Sequence, residues 1–177
     1  MWRTERLVLR LWEPGDAARA LDLYGRWEVA RWLGAQPRVL ADEAEALALV
    51  ERFRGRSADP RFGVWAVERA DTGVVAGSVL LVPLPDGDGE VEVGWHFHPD
   101  CWGNGFATEA ARAAVAKGFA DGLPEIRAVV RPGNDPSAAV CRRLGKAPLG
   151  RTTRWYGTEL DEFLLTAGNR PGVPTRP

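Results

Sequence analysis

The stretch that decides the fold is residues 90–112, which read EVEVGWHFHPDCWGNGFATEAAR. From Val91 to Phe97, apolar side chains alternate with Glu, Gly and His, which is the period of a β-strand with two unlike faces. A loop with two glycines, Trp102–Ala107, follows the strand, and from Thr108 an alanine-rich run is typical of a helix. The stretch therefore predicts a strand, a glycine turn and the N-terminus of a helix in direct succession.

This succession of elements is suited to binding an anion. The first turn of a helix has N–H groups without internal partners, and the helix dipole adds partial positive charge there. Glycines let the backbone approach a ligand closely, so the turn predicts a phosphate cradle that needs no basic side chain. The same spacing also fits a plain helix entry in which glycine merely makes the turn. Two nucleotide motifs are excluded, because Gly-x-x-x-x-Gly-Lys-[Ser/Thr] does not occur and Gly103-x-Gly105 lacks the third glycine of the dinucleotide fingerprint.

Length and composition are those of an ordinary globular protein. The 177 residues, 45% hydrophobic and 27% charged, suit one domain with a sizeable core. A net charge of −1 gives no argument for a nucleic-acid or membrane surface. Two cysteines and two histidines predict neither a disulfide framework nor a metal site. No signal-peptide core and no apolar run of about 20 residues is present, so we expect a cytoplasmic protein.

The remaining periodicity predicts an α+β fold. The expected sheet is mixed, mainly antiparallel and of about seven strands, with helices on both faces. We expect one domain over residues 1–167 and a disordered or loosely ordered tail over 168–177, which holds three prolines and no apolar period. In chain order, we predict a strand at 7–11, helices at 17–24 and 40–53, strands at 62–69, 74–82 and 90–97, a helix at 108–121, a strand at 126–130, a helix at 135–145, and strands at 152–155 and 162–166.

The glycine turn also resembles a known loop. Trp-Gly-Asn-Gly-Phe-Ala-Thr-Glu-Ala, from Trp102, is similar to the acyl-CoA loop of the GNAT N-acetyltransferase superfamily, whose pattern is Gln/Arg-x-x-Gly-x-Gly/Ala. Gly105 and Ala107 fill the last two places of that pattern. Trp102 replaces Gln/Arg, and an aromatic residue there resembles the RimJ/RimL-like branch.

Two further segments carry the same resemblance. Residues 4–10, Thr-Glu-Arg-Leu-Val-Leu-Arg, with Asp16, resemble the first strand and helix start of that branch. Asn134-x-x-Ser, followed by Leu-Gly at residues 144–145, resembles its later Asn-x-x-Ser…Leu-Gly-Phe segment, although Lys146 stands where Phe is usual. The matches fall in order over nearly the whole chain.

The resemblance implies a fold detail and an activity. The fourth and fifth predicted strands are expected to run parallel and splay apart, so that the cofactor enters the gap as if it were another strand. The implied activity is acetyl-CoA-dependent transfer of an acetyl group to a primary amine, either a protein N-terminus or a small amine, directly within a ternary complex. The expected partners are acetyl-CoA and the amine, with no nucleic acid or membrane, and a homodimer stays open. Two alternatives are a catalytically silent acyl-CoA-binding or regulatory module and a dimerisation domain without cofactor.

The resemblance also implies a set of cofactor contacts. The CoA pyrophosphate is expected on the backbone N–H groups from about Trp102 to Thr108. Asn134 matches the Asn that contacts pantetheine, although a turn residue before a helix would look the same. The expected contacts are Trp95, His96, Phe97, Trp102, Gly103, Asn104, Gly105, Phe106, Ala107, Thr108, Asn134 and Ser137, and no metal is expected.

Transfer to an amine requires a base for the ammonium group and an acid for the leaving thiolate. Glu92 is the predicted base, because a carboxylate among apolar strand neighbours has a raised pKa. The alternative is a Glu92 solvated at an open end of the sheet. His96 lies on the same face of the strand as Glu92, about 13 Å further along it. Its predicted role is either a proton shuttle through water or a structural histidine near the cofactor. Residues 159–162 contain the further candidates Glu159, Asp161 and Glu162.

The acid that protonates the leaving thiolate is predicted to lie on the helix after Asn134. Many family members have Tyr seven residues after that Asn, where this chain has Cys141. In RimL-like relatives the Ser that matches Ser137 has been assigned the acid role. The two side chains are i and i+4 on one helix, so we expect them on the same face. We favour Ser137 as the acid. The alternative is that Cys141 packs in the core and that solvent protonates the thiolate. Trp27, Trp32 and Trp155 lie in segments that in the family border the acceptor pocket.

Overall fold

The computed structural model describes residues 1–169, which form a mixed sheet of eight strands with helices on both faces. The strands are β1 Trp2–Arg3, β2 Leu7–Leu11, β3 Gly63–Arg69, β4 Val75–Pro83, β5 Val91–Phe97, β6 Glu125–Val130, β7 Ala147–Thr152 and β8 Leu160–Thr166. The α-helices are α1 Ala17–Tyr24, α2 Trp27–Ala30, α3 Glu43–Gly55, α4 Phe106–Ala120 and α5 Asp135–Arg143, with short 3-10 helices at Pro14–Asp16, Pro99–Cys101 and Ala167–Asn169.

The sheet opens at its centre. Its order is β1-β2-β3-β4-β5-β6-β8-β7, and the neighbours are antiparallel except for β5 and β6, which are parallel. β4 pairs with β5 from Val91 to Phe97, whereas β5 and β6 pair at a single position, Glu92 opposite Arg127. Beyond that position the two strands diverge and leave backbone donors and acceptors facing a gap. The α+β class, the mixed sheet and the predicted splay are thus confirmed, with one strand more than expected.

The two faces of the sheet have separate cores. On one face, Val79, Leu81 and Val93 pack under α4, whose small residues bring it close to the sheet. At Gly118, for example, an added Cβ would lie 2.8 Å from the Ile126 Cδ1 atom. The other face packs under α1 and α3, around residues such as Phe53. The gap between β5 and β6 therefore lies between two helical layers.

Several boundaries differ from the sequence-based expectations. The strand predicted at 152–155 is wrong, because the edge strand is Ala147–Thr152, whose exposed side chains lack the apolar alternation that reveals a strand. Trp155 instead fills a small core in the following turn. α3 starts later than predicted, since the Asp42 side chain accepts from the Glu45 N–H and fixes its first turn. Residues 27–30, Trp-Glu-Val-Ala, form a short helix that the sequence did not resolve.

The predicted tail is only partly described. Gly168 belongs to the 3-10 turn Ala167–Asn169, while residues 170–177 lie outside the part of the chain that the structure describes. Residues 2–166 contribute strands to the same sheet, and the single domain over 1–167 stays a prediction. Among residues 1–169, each helix is too short or too polar to cross a bilayer.

Candidate active site

The gap between β5 and β6 opens into a cavity of about 1370 Å³, called here the central cavity. Its wall combines the β5 strand, the glycine turn and first turn of α4, the start of α5, parts of α2 and α3, and the turn between β7 and β8. The two sheet faces meet at this cavity because β5 and β6 do not close the sheet. A ligand in it can therefore contact residues from both helical layers.

The glycine turn has the geometry of an anion cradle. Gly103 and Gly105 adopt left-handed φ values of 77° and 79°, which a residue with a Cβ rarely takes. Gly105 is the N-cap of α4, and no side chain within residues 1–169 caps the helix. The first intrahelical bond of this turn comes from the Glu109 N–H, so the preceding amides lack helical partners. The backbone at Phe106–Thr108 is thus free to donate into the central cavity.

Side chains on both sides hold the turn in shape. The Trp102 indole Nε1 donates to the Phe97 carbonyl at 2.7 Å, and the Asn104 amide donates to the carbonyls of Cys101 and Trp102. These bonds satisfy the carbonyls of the turn from within. Trp102 therefore has a structural contact in addition to lining the cavity.

The N-terminal segment fastens the first turn of α4. Glu109 accepts from the Thr4 hydroxyl at 2.5 Å and from the Arg6 N–H and Nε at 2.9 and 2.8 Å. Arg6 also donates to the Asn104 carbonyl and stacks over the Phe106 ring. Sequence reasoning did not place Arg6 at the cradle, although the resemblance of residues 4–10 marked the segment. A guanidinium thus adds positive charge beside amides that were expected to act alone.

Glu92 lies deep in the central cavity, with 7% of its surface exposed. Burial raises the pKa of this carboxyl to about 7, and the hydrogen bond from the Tyr156 hydroxyl opposes the rise. The solvated alternative does not hold, because β5 carries Glu92 at the sheet centre opposite β6. At neutral pH the carboxyl is close to half ionised, which suits a group that accepts a proton.

Tyr156 was missed by sequence reasoning. It lies 64 residues after Glu92, in the turn between β7 and β8, and its φ of 55° is left-handed. The sequence Trp-Tyr-Gly at 155–157 indicates a turn but not which way its side chains point. The phenol lines the central cavity and donates to Glu92, so the turn brings a second polar group to the predicted base.

His96 lies on the same side of β5 as Glu92 but is bonded elsewhere. Its Nδ1 is 3.1 Å from the Tyr24 hydroxyl, which in turn is 2.7 Å from the Ser78 hydroxyl. Burial lowers the pKa of His96 to about 4, so the ring is neutral at physiological pH. These contacts fit a structural histidine beside the cavity better than a base.

The start of α5 brings Asn134 and Ser137 to the cavity. The Asn134 side-chain oxygen accepts from the Ser137 N–H at 3.3 Å and caps the helix, and both residues line the cavity. Cys141 follows one helical turn after Ser137 but does not line the cavity. Ser137, Val140 and Arg143 of α5 do, whereas Cys141 has 0% exposure in the core under α4. Burial raises the pKa of its thiol to about 12.

The tryptophans differ in position. Trp32 lines the central cavity, but Trp27 is 55% exposed outside it. Trp155 is fully buried and donates its indole N–H to Glu162 at 3.1 Å. Of these three tryptophans, only Trp32 lines the cavity as the described residues form it.

The acidic residues before β8 are held in ion pairs. Glu159 and Asp161 pair with Arg151, and Glu162 pairs with Arg127. None of these three carboxylates lines the central cavity as the described residues form it. The alternative base candidates are thus committed elsewhere, while Glu92 lies inside.

The twelve residues predicted to contact the cofactor, together with Glu92, all line the central cavity. This juxtaposition joins residues 92–108 to residues 134–137, which begin 26 residues later in the sequence. The contacts with the cofactor themselves stay a prediction. Among residues 1–169, no group of His, Cys, Asp or Glu side chains is placed to hold a metal ion.

Comparisons with known proteins agree with this geometry. The family description "Acetyltransferase (GNAT) domain" matches residues 6–146. The uncharacterized N-acetyltransferase YoaA of Bacillus subtilis (strain 168) is 30% identical over 80% of each chain. An acetyltransferase structure from Agrobacterium tumefaciens str. C58 superposes with a TM-score of 0.77 at 25% identity, covering 93% of this chain and 92% of that one. Mycobacterium smegmatis RimJ in complex with CoA-disulfide gives 0.75 at 21% identity, covering 92% and 82%.

Proposed function

We propose that this chain, which belongs to the acetyltransferase (GNAT) family, transfers an acetyl group from acetyl-CoA to a primary amine. The observation that carries the proposal is the central cavity itself. It has an uncapped helix N-terminus with two left-handed glycines on one side and a buried carboxyl with a raised pKa on the other. The first feature suits a phosphate-bearing donor and the second suits an ammonium acceptor.

Acetyl-CoA is the proposed donor. Its pyrophosphate would accept hydrogen bonds from the free amides between Trp102 and Thr108. The unpaired edge of β5 offers backbone groups to the pantetheine amides in the manner of an added strand, and Asn134 lies where it can contact the same arm. RimJ of M. smegmatis, a neighbour in fold, was solved with CoA-disulfide, which supports this choice.

The proposed chemistry needs two proton transfers. Glu92 accepts a proton from the acceptor ammonium, directly or through water, and the freed amine attacks the thioester carbonyl. The C–N bond forms, the C–S bond breaks, and the Ser137 hydroxyl protonates the leaving thiolate while it takes up the second proton of the attacking nitrogen. Tyr156 orients the Glu92 carboxylate through its hydroxyl. No covalent enzyme intermediate is part of the scheme.

Protein N-termini and small amines both remain within the proposed acceptor class. A cytoplasmic location and a homodimer are not needed for the chemistry and stay predictions from the sequence. The silent acyl-CoA-binding module is not favoured, because Glu92 and Ser137 both line the central cavity.

Turnover of acetyl-CoA with a panel of primary amines, read as release of free thiol, tests the proposal. Calorimetry with CoA provides the second measurement. Amine-dependent thiol release supports the proposed transfer. Binding of CoA without turnover of any amine would restore the silent module, and absence of both would contradict the cradle assignment as well.

A further inference from the structure

The lining of the central cavity is strongly positive. It contains eight arginines and four glutamates, although the whole chain has a net charge of −1. A cavity that concentrates one sign of charge selects ligands of the other sign. The CoA phosphates account for some of this charge, so the question is which arginines they leave unexplained.

Half of these arginines already have protein partners. Arg6 pairs with Glu109 and Arg38 pairs with Glu45. Arg131 donates to two backbone carbonyls of the loop after α2, and Arg31 stacks over the ring of Trp32. The charges of these four arginines are thus engaged within the fold.

The other four arginines divide into two pairs on opposite sides of the sheet. Within residues 1–169, their side chains have no hydrogen-bond or ion-pair partner. Arg112 and Arg143 lie on α4 and α5, in the layer that contains the cradle. They are placed to serve the CoA phosphates. Arg52 lies in the last turn of α3 and Arg56 is the C-cap residue of that helix, in the other layer, and the two require a different explanation.

Arg52 and Arg56 share the side of the sheet that carries Glu92. Glu92 is paired with Val82, whose side chain belongs to the core under α3, and paired residues of neighbouring strands point to the same face. One helical turn separates the two arginines, or about 6 Å along the axis. Burial raises the pKa of Glu92, and the nearby positive charge of Arg56 opposes that rise, so the arginine is within electrostatic range of the predicted base.

We propose that Arg52 and Arg56 bind a carboxylate of the acceptor, so that the substrate is a primary amine with an anionic group. This inference rests on the proposed function. A guanidinium donates charge-assisted hydrogen bonds that match carboxylate geometry, and two of them lie one turn apart here. Glu92 takes the amine end of the same molecule and the arginines take its acidic end. The carboxylate belongs either to a small amino acid or to an acidic side chain near a peptide N-terminus.

Acetyl transfer to matched pairs of amines tests the inference. The small pair is 4-aminobutyrate and 4-aminobutanamide, and the peptide pair is Ser-Glu-Ala-Ala and Ser-Gln-Ala-Ala, both amidated. We expect the wild type to favour the anionic member of at least one pair by about 10-fold or more in kcat/KM, which is the scale of a charge-assisted hydrogen bond. The pair that shows the preference identifies the source of the carboxylate.

Variants then assign the preference to residues. R52Q/R56Q should reduce the ratio between pair members to near one while leaving KM for acetyl-CoA unchanged. R3Q is the matched control, because Arg3 is exposed and lies outside the central cavity. Equal use of charged and neutral amines by the wild type would overturn the inference. A rise in KM for acetyl-CoA in R52Q/R56Q would also overturn the inference, because these arginines would then bind the donor.

A binding measurement separates this inference from the proposed function. Calorimetry of CoA-loaded protein with N-acetyl-4-aminobutyrate and its amide should show tighter binding of the acid, lost in R52Q/R56Q. If no amine is acetylated, the proposed transfer fails, but the same titration still decides whether the arginines bind a carboxylate. Equal binding of acid and amide, both in this pair and in the acetylated peptide pair, would overturn the inference whatever the turnover.

Discussion

At the scale of single residues, Glu92 is the group that should set the pH dependence of transfer. Burial raises its pKa to about 7, and only the ionised form accepts a proton, so the rate should rise as pH passes through about 7. Glu92→Gln should lower kcat by about 10²-fold or more and abolish this acidic limb of the pH–rate profile, with acetyl-CoA affinity nearly unchanged. Steady-state pH–rate profiles measure both effects.

Glu159→Gln is the control for that experiment, because Glu159 pairs with Arg151 outside the central cavity. It should leave the profile as in the wild type. An unaltered limb in Glu92→Gln would move the base elsewhere.

Tyr156 should affect the pH at which this acidic limb lies. Its hydroxyl donates to Glu92 and stabilises the ionised carboxylate. Tyr156→Phe should therefore raise the pKa of Glu92 and shift the limb of kcat/KM to higher pH by about one unit. Tyr24→Phe is a matched loss of a buried hydroxyl that contacts His96 and Ser78 instead, and it should leave the limb in place. A shift to lower pH in Tyr156→Phe would contradict the predicted role.

Ser137 and Cys141 are separated by burial. Ser137 lines the central cavity while Cys141 is enclosed in the core under α4. In single-turnover measurements, Ser137→Ala should slow the chemical step by about 10²-fold, with CoA binding retained. Cys141→Ala should leave that step unchanged and lower the free energy of unfolding by about 1 kcal/mol through a small cavity. The reverse pattern would assign the acid to the thiol.

At the scale of elements, the glycine turn and the start of α4 act as one device. An added Cβ at Gly105 meets only the Arg6 guanidinium, at 3.6 Å, so the position has room but requires a left-handed φ. Asn tolerates that conformation better than most residues and has the size of Asp without its charge. Gly105→Asn and Gly105→Asp therefore separate the effect of side-chain size from that of negative charge.

We expect Gly105→Asn to weaken acetyl-CoA binding modestly and Gly105→Asp to weaken it by a further factor of about 100, because the added carboxylate would face the pyrophosphate. Calorimetry with CoA measures the difference, and circular dichroism checks that both variants fold. Equal affinities for the two variants would show that no phosphate lies at this turn.

At the scale of the whole molecule, local signals explain which features were predictable. The strand, turn and helix at 90–112 follow from residues adjacent in sequence, and the structure places them within two residues of the expectation. The parallel gap came from the resemblance, since periodicity does not report strand order. The contact of Tyr156 with Glu92 depends on a left-handed turn 64 residues away. The orientation of Cys141 depends on how α5 packs on α4, which helical spacing alone does not give.

One unusual residue in the sequence, Lys146, affects the stability of the entire fold. Lys146 replaces an expected Phe, and its side chain is 3% exposed, with the ammonium donating to the Ile126 carbonyl on β6. Burial lowers the pKa of this amine from 10.5 to about 7. A buried amine of this kind opposes folding, because the unfolded chain binds the proton far more strongly.

The sign of the pH effect follows from these two values. Below pH 7 the amine is protonated in both states, and the destabilisation is constant. Between about pH 7 and 10 only the unfolded chain keeps the proton, so the free energy of unfolding should rise by up to about 1.4 kcal/mol per pH unit. Burial raises the pKa of Glu92 to about 7, and it raises the pKa values of Cys101 and Cys141 from 9.0 to about 11 and about 12. The thiols of the unfolded chain begin to ionise between pH 7.5 and 9, which offsets part of the rise. The difference in slope between the wild type and a variant without the amine therefore isolates Lys146.

Lys146→Met should stabilise the protein at pH 7 by about 1–3 kcal/mol, since removing the buried amine gains more than the lost bond to Ile126 costs. It should also remove the rise in stability between pH 7.5 and 9. The sequence has two lysines, and the other supplies the control: Lys117 pairs with Asp121 near the surface, so Lys117→Met should not stabilise the fold and should keep the pH slope. Urea unfolding at several pH values measures both quantities. Equal pH slopes for the wild type and Lys146→Met would mean that the amine stays protonated in the folded protein.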